Sequence, residues 1–447
     1  MDLGPGLCYA APMPQPRSDR FFLQTLGCKV NQYESRALTE AWGRAGLIPA
    51  ETPDAADLVV LCTCTVTARA AAESRRLARK LVREAAPGAT VVVTGCAAAV
   101  APESFAALGA APVPDKAALA RFPLEPSRAP AGPAYPDLAL SGYDRARALL
   151  KIQDGCSHRC SYCIVPLARG ASRSRPVADI LAEAERLIAA GHRELGLTGI
   201  NLGHFGRDLT PPLSFWELVA RLDRELAACH GATVRLRLGS LDPSILTGEG
   251  LTVLAQARLV CPHLHISLQS AAPAVLAAMG RRPEDAGAVS SFVDGISRIW
   301  PRFGLGCDIM AGFPGETETD HDTTAAFLAD LPLSYAHVFP YSQRPGTRAA
   351  DLAGQLPREV KAARAAALRE TAQGQAERFL AALAASGETV TVALERLAPA
   401  AGTTGHYVDC RFTAEPEASL GALVRATCLD RDGDLLLVRP QNEACAP

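Results

Sequence analysis

Strand and helix alternate twice along this chain, and that alternation restricts it to folds built on parallel sheets. In the first series, three short apolar runs, FFLQTLG (21–27), DLVVLCT (57–63) and ATVVVTG (89–95), are separated by amphipathic stretches at 35–47 and 67–85. A strand–helix–strand order requires a crossover, so the strands are expected to run parallel with helices packed on the sheet. Each run is followed at once by a cysteine: Cys28, Cys64 and Cys96. In a parallel sheet all strand C-termini lie on one rim, where such folds bind ligands. Three thiols separated by 36 and 32 residues are therefore expected to converge. The other reading is three separately buried cysteines, since cysteine is a common core residue.

The second series begins at LLKIQ (149–153). Helical patterns at 177–190, 214–228, 243–257, 284–299 and 318–330 lead to ELGLTG (194–199), TVRLRLGS (233–240), HLHISLQS (263–270), GLGCDIMAG (304–312) and SYAHVFPYS (334–342). That makes six strands. In β/α barrels the active residues gather at strand C-termini. The rule places Cys156, Gly199, Ser240, Gln269 and the turn at 312–318 around one mouth.

CSHRCSYC (156–163) follows the first strand of this series and holds Cys156, Cys160 and Cys163 in a Cys-x3-Cys-x2-Cys spacing. Thiolates are soft ligands suited to zinc or iron–sulfur clusters. Three are one short of closing a tetrahedral zinc site or a four-iron cubane, so the protein leaves one position open. A zinc loop with His158 as fourth ligand is the alternative.

The stretch resembles the signature of the radical S-adenosylmethionine (SAM) enzymes, which share this spacing and carry an aromatic before the last cysteine, here Tyr162. The resemblance implies an open six-strand β/α barrel. It implies a 4Fe–4S cluster on Cys156, Cys160 and Cys163, with the amine and carboxylate of SAM on the fourth iron and SAM split into methionine and a 5′-deoxyadenosyl radical. LTGIN (197–201) stands where that family places a glycine against the methionine part of SAM, which makes Gly199 a candidate; a plain strand-ending glycine is the other reading. HISLQSA (265–271) resembles the family's SLQSG strand, with Ala271 for Gly, and adds Gln269 to the cofactor-binding candidates.

A second resemblance lies in GCKVNQYES (27–35), CTCTVTARAA (62–71) and TGCAA (94–98), which look like the N-terminal domain of the methylthiotransferases. DIMAGFPGETE (308–318) and HVFPYSQRPGT (337–347) are similar to the same family. The resemblance implies a second 4Fe–4S cluster on Cys28, Cys64 and Cys96. Cys62 stands where the family usually has Asn, and residues two apart in a strand share a face, so Cys62 competes with Cys64 as ligand. Cys64 keeps the family's register ahead of TVT. The family replaces a C–H bond by C–SCH3 with two molecules of SAM. GCKVNQ and CTVTARA resemble most the branch acting on N6-threonylcarbamoyladenosine at position 37 of tRNA. The implied partners are a tRNA anticodon stem-loop, an electron donor and a sulfur source. Sister branches act on isopentenyladenosine tRNA or a ribosomal-protein aspartate; a non-catalytic iron–sulfur RNA-binding protein is the reading from another class.

The remaining stretches set the domain plan. Residues 1–20 read as a loose tail without the apolar core of a signal peptide. The methylthiotransferase-like N-terminal domain covers 21–110. Seven prolines between Pro112 and Pro136 make 111–148 a mostly irregular linker with one short element near 115–122. The barrel and a following helix take 149–383. Short alternating strands at 388–396, 406–412, 421–429 and 433–439 make 385–447 a small five-stranded-type β-barrel, similar to the TRAM domain. That last segment has five Arg and no Lys against nine acidic residues, so it binds RNA by a local face with Tyr407 and Arg411 or mainly braces the barrel. Arg169, Arg173 and Arg175 either contact RNA phosphate or stabilise the cysteine loop. Fourteen unevenly spaced cysteines in 447 residues point to a reducing compartment rather than a disulfide framework. No apolar run reaches the roughly 18 residues of a membrane span, and the expected location is the cytoplasm.

Overall fold

A computed structural model describes residues 20–121 and 139–441. The described residues divide into two compact units, one running to residue 65 and resuming at 69, the other formed by 66–68 and the chain from 139 on.

The first unit is a five-stranded parallel sheet. Its strands are β1 (Arg20–Thr25), β2 (Ile48–Pro49), β3 (Leu58–Thr63), β4 (Thr90–Gly95) and β5 (Ala111–Pro112), in the order β2-β1-β3-β4-β5. Both faces are covered, which is why β3 and β4 read as unbroken apolar runs. Phe21, Leu58, Val60, Cys62 and Val92 pack under Leu38 and Trp42 of helix α1 (Lys29–Arg44). Val59, Leu61, Val91 and Val93 pack under Leu77 and Leu81 of helix α2 (Ala68–Glu84), with Phe105. Helices α3 (Cys96–Val100), α4 (Pro102–Ala106) and α5 (Lys116–Arg121) follow.

Two expectations change here. The first helix starts at Lys29 rather than near 35, because Cys28 is itself its N-cap. In the stretch read as mostly irregular, the short element expected near 115–122 is α5, which accepts a hydrogen bond at Leu119 O from Trp42 Nε1 (3.0 Å); the unexpected element is β5, which extends the sheet at its edge, where a proline costs no ladder bond. The rest of the proline-rich stretch, 122–138, lies outside the described residues.

The second unit starts with β6 (Arg147–Lys151) and the short pair β7 (Gln153–Asp154) and β8 (Arg173–Ser174). Strands β9 (Glu194–Thr198), β10 (Arg235–Arg237), β11 (Ser240–Leu241), β12 (His263–Gln269), β13 (Gly304–Ala311) and β14 (Tyr335–Pro340) follow, all parallel to their neighbours. They form two ladders, β10-β9-β6 and β11-β12-β13-β14. The single strand expected at 233–240 is interrupted after Arg237, so its first half pairs with β9 and its second with β12; Leu236 also bridges Val260. The result is an open barrel of six strand positions.

The outer face of the barrel is aliphatic: Leu264, Ile266, Leu305, Cys307 and Ile309 are buried. The inner face is polar. Glu194, Arg235, Arg237, His263, His265, Asp308 and His337 alternate with those apolar residues at period two. Helix Arg358–Ala384 leads to a closed antiparallel-rich barrel of β15 (Thr389–Leu397), β16 (Ala400–Thr404), β17 (Asp409–Phe412), β18 (Leu423–Asp432) and β19 (Leu435–Pro440), in the order β15-β16-β17-β19-β18. Its core is Val392, Leu394, Phe412, Val424, Leu436 and Val438, joined by Leu380 and Leu383 of the helix. The strand Ala400–Thr404 was not expected, because AAGTT carries no apolar alternation; Gly402 lies so close to β15 that a Cβ there would meet Ala393 O at 2.0 Å.

Candidate functional site

In the first unit, Cys28, Cys64 and Cys96 follow the C-terminal ends of three adjacent strands, with β3 in the middle. A Cβ on Gly27 would lie 2.8 Å from Cys64 Sγ, which puts the Cys28 turn directly against Cys64. Ser74 of α2 fixes the Cys64 backbone from both sides, accepting from its N–H (3.0 Å) and donating to its C=O (2.8 Å). Thr63 donates to Thr94 O (2.6 Å) and accepts from Ala98 N–H (3.1 Å), which ties down the turn that carries Cys96. Asn31 joins the other two turns: its Nδ2 donates to Leu26 O (2.8 Å) and Thr63 O (2.9 Å). Its Oδ1 accepts from buried Lys116 Nζ (2.7 Å), which is also ion-paired with Glu34. Cys62 is fully buried in the apolar layer beneath α1, whereas Cys28 is exposed and Cys96 half-buried at the rim. Cys64, though buried, lies beyond the strand end on that rim.

In the second unit, Cys156, Cys160 and Cys163 occupy the loop between β7 and β8. Gly155 turns at φ +67°, and a Cβ there would strike Ala171 O at 2.0 Å. Cys156 N–H donates to Gly170 O (3.0 Å), closing the base of the loop. Ser161 donates through its N–H to Met279 O and through its Oγ to Ala278 O (2.8 Å each), anchoring the far side. Gln153 is the hinge pin of the arrangement. Its Nε2 donates to Asp154 O, Gly155 O and Ser172 Oγ (2.7 Å each). Its Oε1 accepts from Ile200 N–H (3.0 Å) and Asn201 N–H (2.9 Å), so the cysteine loop and the turn after Gly199 are held by one side chain.

Burial and the neighbouring thiols both act on Cys156 and Cys163. Burial is the larger cause: it raises Cys156 and pushes Cys163 up to about 12. Such thiols are neutral until a metal displaces their protons. Asn201 Nδ2 donates toward Cys156 Sγ (3.7 Å), a contact of the kind that tunes iron–sulfur potentials. His158 faces Asn201 Nδ2 (3.4 Å) and Asp242 (3.9 Å) and meets His204 edge-on. The donor set, three half-buried soft sulfurs with a hydrogen-bond donor at one of them, fits a 4Fe–4S cluster with one iron left to another ligand. Tyr162 is half-buried beside Ala272, Met279, Phe313 and Tyr341, and burial raises its hydroxyl pKa well above the ordinary value. Gln269 ends β12 in the left-handed region, φ +78°, a strained conformation for a side chain with a Cβ and one that concentrates at functional sites.

Comparison with known proteins gives the family. The model described as uncharacterized protein family UPF0004 matches residues 20–112, and the radical SAM superfamily matches residues 150–328. Threonylcarbamoyladenosine tRNA methylthiotransferase MtaB of Bacillus subtilis (strain 168) is 34% identical over 355 residues, 75% of this chain and 76% of the relative. The proteins of the same name from Chlamydia pneumoniae and Thermotoga maritima are each 32% identical, over 92% and 80% of this chain and 95% and 82% of their own lengths. The chain belongs to the radical SAM methylthiotransferases. Its curated relatives place it in the MtaB branch. A solved structure of the radical SAM methyltransferase TsrM from Kitasatospora setae, with cobalamin and a 4Fe–4S cluster bound, has a TM-score of 0.52 at 16% identity, over 74% of each chain, and shares the fold.

As a radical SAM methylthiotransferase this chain is an enzyme that modifies tRNA and uses SAM with an iron–sulfur centre. Two of the arginines beside the cysteine loop are committed to structure rather than exposed to an RNA backbone. Arg169 pairs with Asp154 (2.9 Å) and Arg175 with buried Glu183 (2.8 Å). Tyr407 is not part of an outward face either: it tilts against His263 and Tyr335 with Arg237 over its ring at 5.1 Å, so this residue braces the barrel. Arg411 pairs with Asp432 (2.7 Å). Cys261, Cys307, Cys410 and Cys428 are buried. No helix among the described residues is long and apolar enough to cross a membrane.

Sequence reasoning passed over the barrel's floor and its polar inner wall. Glu194 accepts from Arg237 Nε (2.6 Å) and Arg235 Nε (2.7 Å). Burial alone would raise Glu194; the two guanidiniums overcome it and hold the carboxyl near about 2. The same arginines donate onward to main-chain carbonyls of the small barrel: Arg235 to Thr391 O and Thr403 O, Arg237 to Thr404 O and Gly405 O, at 2.6–3.0 Å. Asp242 and Arg281 (3.1 Å) form a second buried pair near His158. The signal was present as charged and imidazole residues at every second position of RLR and HLH, in strands where a both-sides-buried parallel sheet would be apolar throughout.

Proposed function

We propose that this chain replaces the C2–H of N6-threonylcarbamoyladenosine at position 37 of tRNA with a methylthio group. The observation that carries the reading is the pair of thiol triads, Cys28/Cys64/Cys96 and Cys156/Cys160/Cys163, each left one ligand short. We assign each triad one 4Fe–4S cluster. When bound, the Cys156/Cys160/Cys163 cluster supplies the electron that converts one SAM into the hydrogen-abstracting radical, while a second SAM supplies the methyl group and the other cluster the site of sulfur delivery.

The chain's own residues position and exclude. Gln153 keeps the cysteine loop and the turn after Gly199 in one register. Asn201 donates toward Cys156, and Gly199, Tyr162 and Gln269 are read as the residues that contact SAM. No acid–base residue is assigned, because an unactivated C–H lies beyond side-chain acid–base chemistry and reach is set by position. The modified base must be presented out of the anticodon loop. RNA is read in single-stranded loops by stacking and edge contacts, so a net charge of −2 is no obstacle. The reading places the enzyme in the cytoplasm, with an electron donor and a sulfur source as further partners, and treats the small barrel as a TRAM-like module.

Anaerobically reconstituted protein is expected to hold about 8 iron atoms, falling to about half when either triad is replaced by alanine. Given SAM, a reductant and sulfide, it should convert threonylcarbamoyladenosine in tRNA to the 2-methylthio derivative, read by mass spectrometry of tRNA nucleosides. Methylthiolation of isopentenyladenosine tRNA or of a ribosomal-protein peptide instead would move the chain to a sister branch. Zinc in place of iron would sink the cluster assignment.

A further inference from the structure

Among the described residues, one group of metal-ligating side chains stands apart from both cysteine triads: His265 on β12, Asp308 on β13 and His337 on β14. All three project from the inner face of the barrel. The ladder pairs Asp308 with His337, and pairs His265 with Gly306, the residue two before Asp308 on the same face. One ligand atom from each side chain lies within 4.8 Å of the others. His265 Nε2 is 3.1 Å from one oxygen of Asp308, and His337 Nδ1 is 3.2 Å from the other. Ligand atoms at about 2.1 Å from a shared first-row ion stand about 3 Å apart, so this spacing needs little change to accept one.

We propose that His265, Asp308 and His337 form a site for one divalent transition-metal ion in the barrel lumen. Its donors, two imidazoles and one carboxylate, form the set that holds iron(II), manganese or zinc with coordination positions left open. The second layer is built to match. His265 Nδ1 is 3.0 Å from the Tyr335 hydroxyl, which is 2.9 Å from His263 Nε2, so the ring is fixed with Nε2 aimed at the site. Tyr335 can lie there only because the strand beside it carries a glycine: a Cβ on Gly306 would meet its ring at 2.1 Å. Side-chain exposure rises from 9% at His265 through 22% at Asp308 to 55% at His337. The protein thus closes one side of the site and leaves the other open to the lumen, where a carboxylate or carbonyl oxygen is the class of ligand that suits the free positions.

The test is manganese(II) binding to the full chain with both iron–sulfur centres reconstituted. The free-ion EPR signal counts bound manganese, and pulsed EPR reads nitrogen coupling at the bound ion. The wild type should take up one manganese per chain with imidazole nitrogen coupling. His337→Ala and Asp308→Ala should weaken that site at least tenfold while iron content is unchanged. Since His337 is largely exposed, its variant keeps the test valid even if Asp308→Ala folds poorly. Equal manganese uptake by wild type and His337→Ala, or bound manganese without nitrogen coupling, overturns the proposal and leaves the three residues as a hydrogen-bonded His–Asp–His cluster only.

Discussion

Cys62 and Cys64 are two residues apart and chemically identical, yet the fold gives them opposite fates. Cys62 belongs to strand β3, pairs in register with Thr25 and Thr94, and packs under Trp42. Cys64 lies one residue past the strand end, its backbone clasped by Ser74 and its sulfur against the Gly27 turn. The period-two argument that made them competitors holds only inside a strand, and β3 stops at Thr63. Cys62→Ala should therefore keep the full iron content and cost about 1 kcal/mol of stability through lost packing. Cys64→Ala should lose about half the iron, one cluster of two. Iron analysis of the two variants after anaerobic reconstitution decides it; loss of iron from Cys62→Ala with retention in Cys64→Ala would reverse the assignment.

At the scale of elements, the short helix α5 does more than its six residues promise. It delivers Lys116 into a pocket where the ammonium meets Glu34 and Asn31 of α1, and Asn31 in turn holds the backbone ahead of Cys28 and Cys64. Replacing Lys116 by Met removes the ammonium from a buried carboxylate. That change is expected to destabilise the first unit by about 3 kcal/mol and to lower iron retention at its cysteines. Urea unfolding and iron analysis of the variant, compared with the surface change Lys80→Met, provide the measurement. The sequence announced α1, α2 and the three long strands through their apolar periods, and both cysteine triads through their positions. It showed α5 only as an unspecified short element near 115–122 and concealed β5, because prolines and alanines carry no period and their place is fixed by tertiary contacts such as Trp42 to Leu119. It likewise concealed the interruption of the 233–240 strand, whose two halves pair with different neighbours, β9 and β12. Gln153 and Asn31 were invisible as site residues, since a glutamine or asparagine that binds backbone looks like any other polar residue until its carbonyl partners are known.

For the whole molecule, the barrel floor should contribute a separable part of the acid response, beside Asp308 and Asp242, whose carboxyls are also held below the ordinary range. Glu194 titrates near about 2 in the fold against an ordinary 4.5, so the folded form binds fewer protons than the unfolded chain between those values. A depressed carboxyl contributes stability above the unfolded pKa and loses it as pH falls through the folded one. The stability advantage of wild type over Glu194→Gln should be constant from pH 7 to about 5. Below that it should shrink by roughly 1.4 kcal/mol per pH unit. Urea midpoints of both chains between pH 7 and 3.5 measure it, and a gap that stays constant would show that Glu194 is not the group responsible.

The floor joins the two barrels of the second unit through main-chain oxygens: Arg235 and Arg237 grip the carbonyls of Thr391, Thr403, Thr404 and Gly405. A carbonyl is present whatever side chain hangs beside it. Substitutions on the outer surface of the small barrel away from Tyr407, Glu388 and Glu395, whose side chains also meet the larger barrel, therefore leave these bonds untouched, provided its strands keep their path. Away from Glu388 and Glu395, whose carboxylates pair with Arg302 and Arg147 of the larger barrel, the charge of that surface takes no part in holding the small barrel in place.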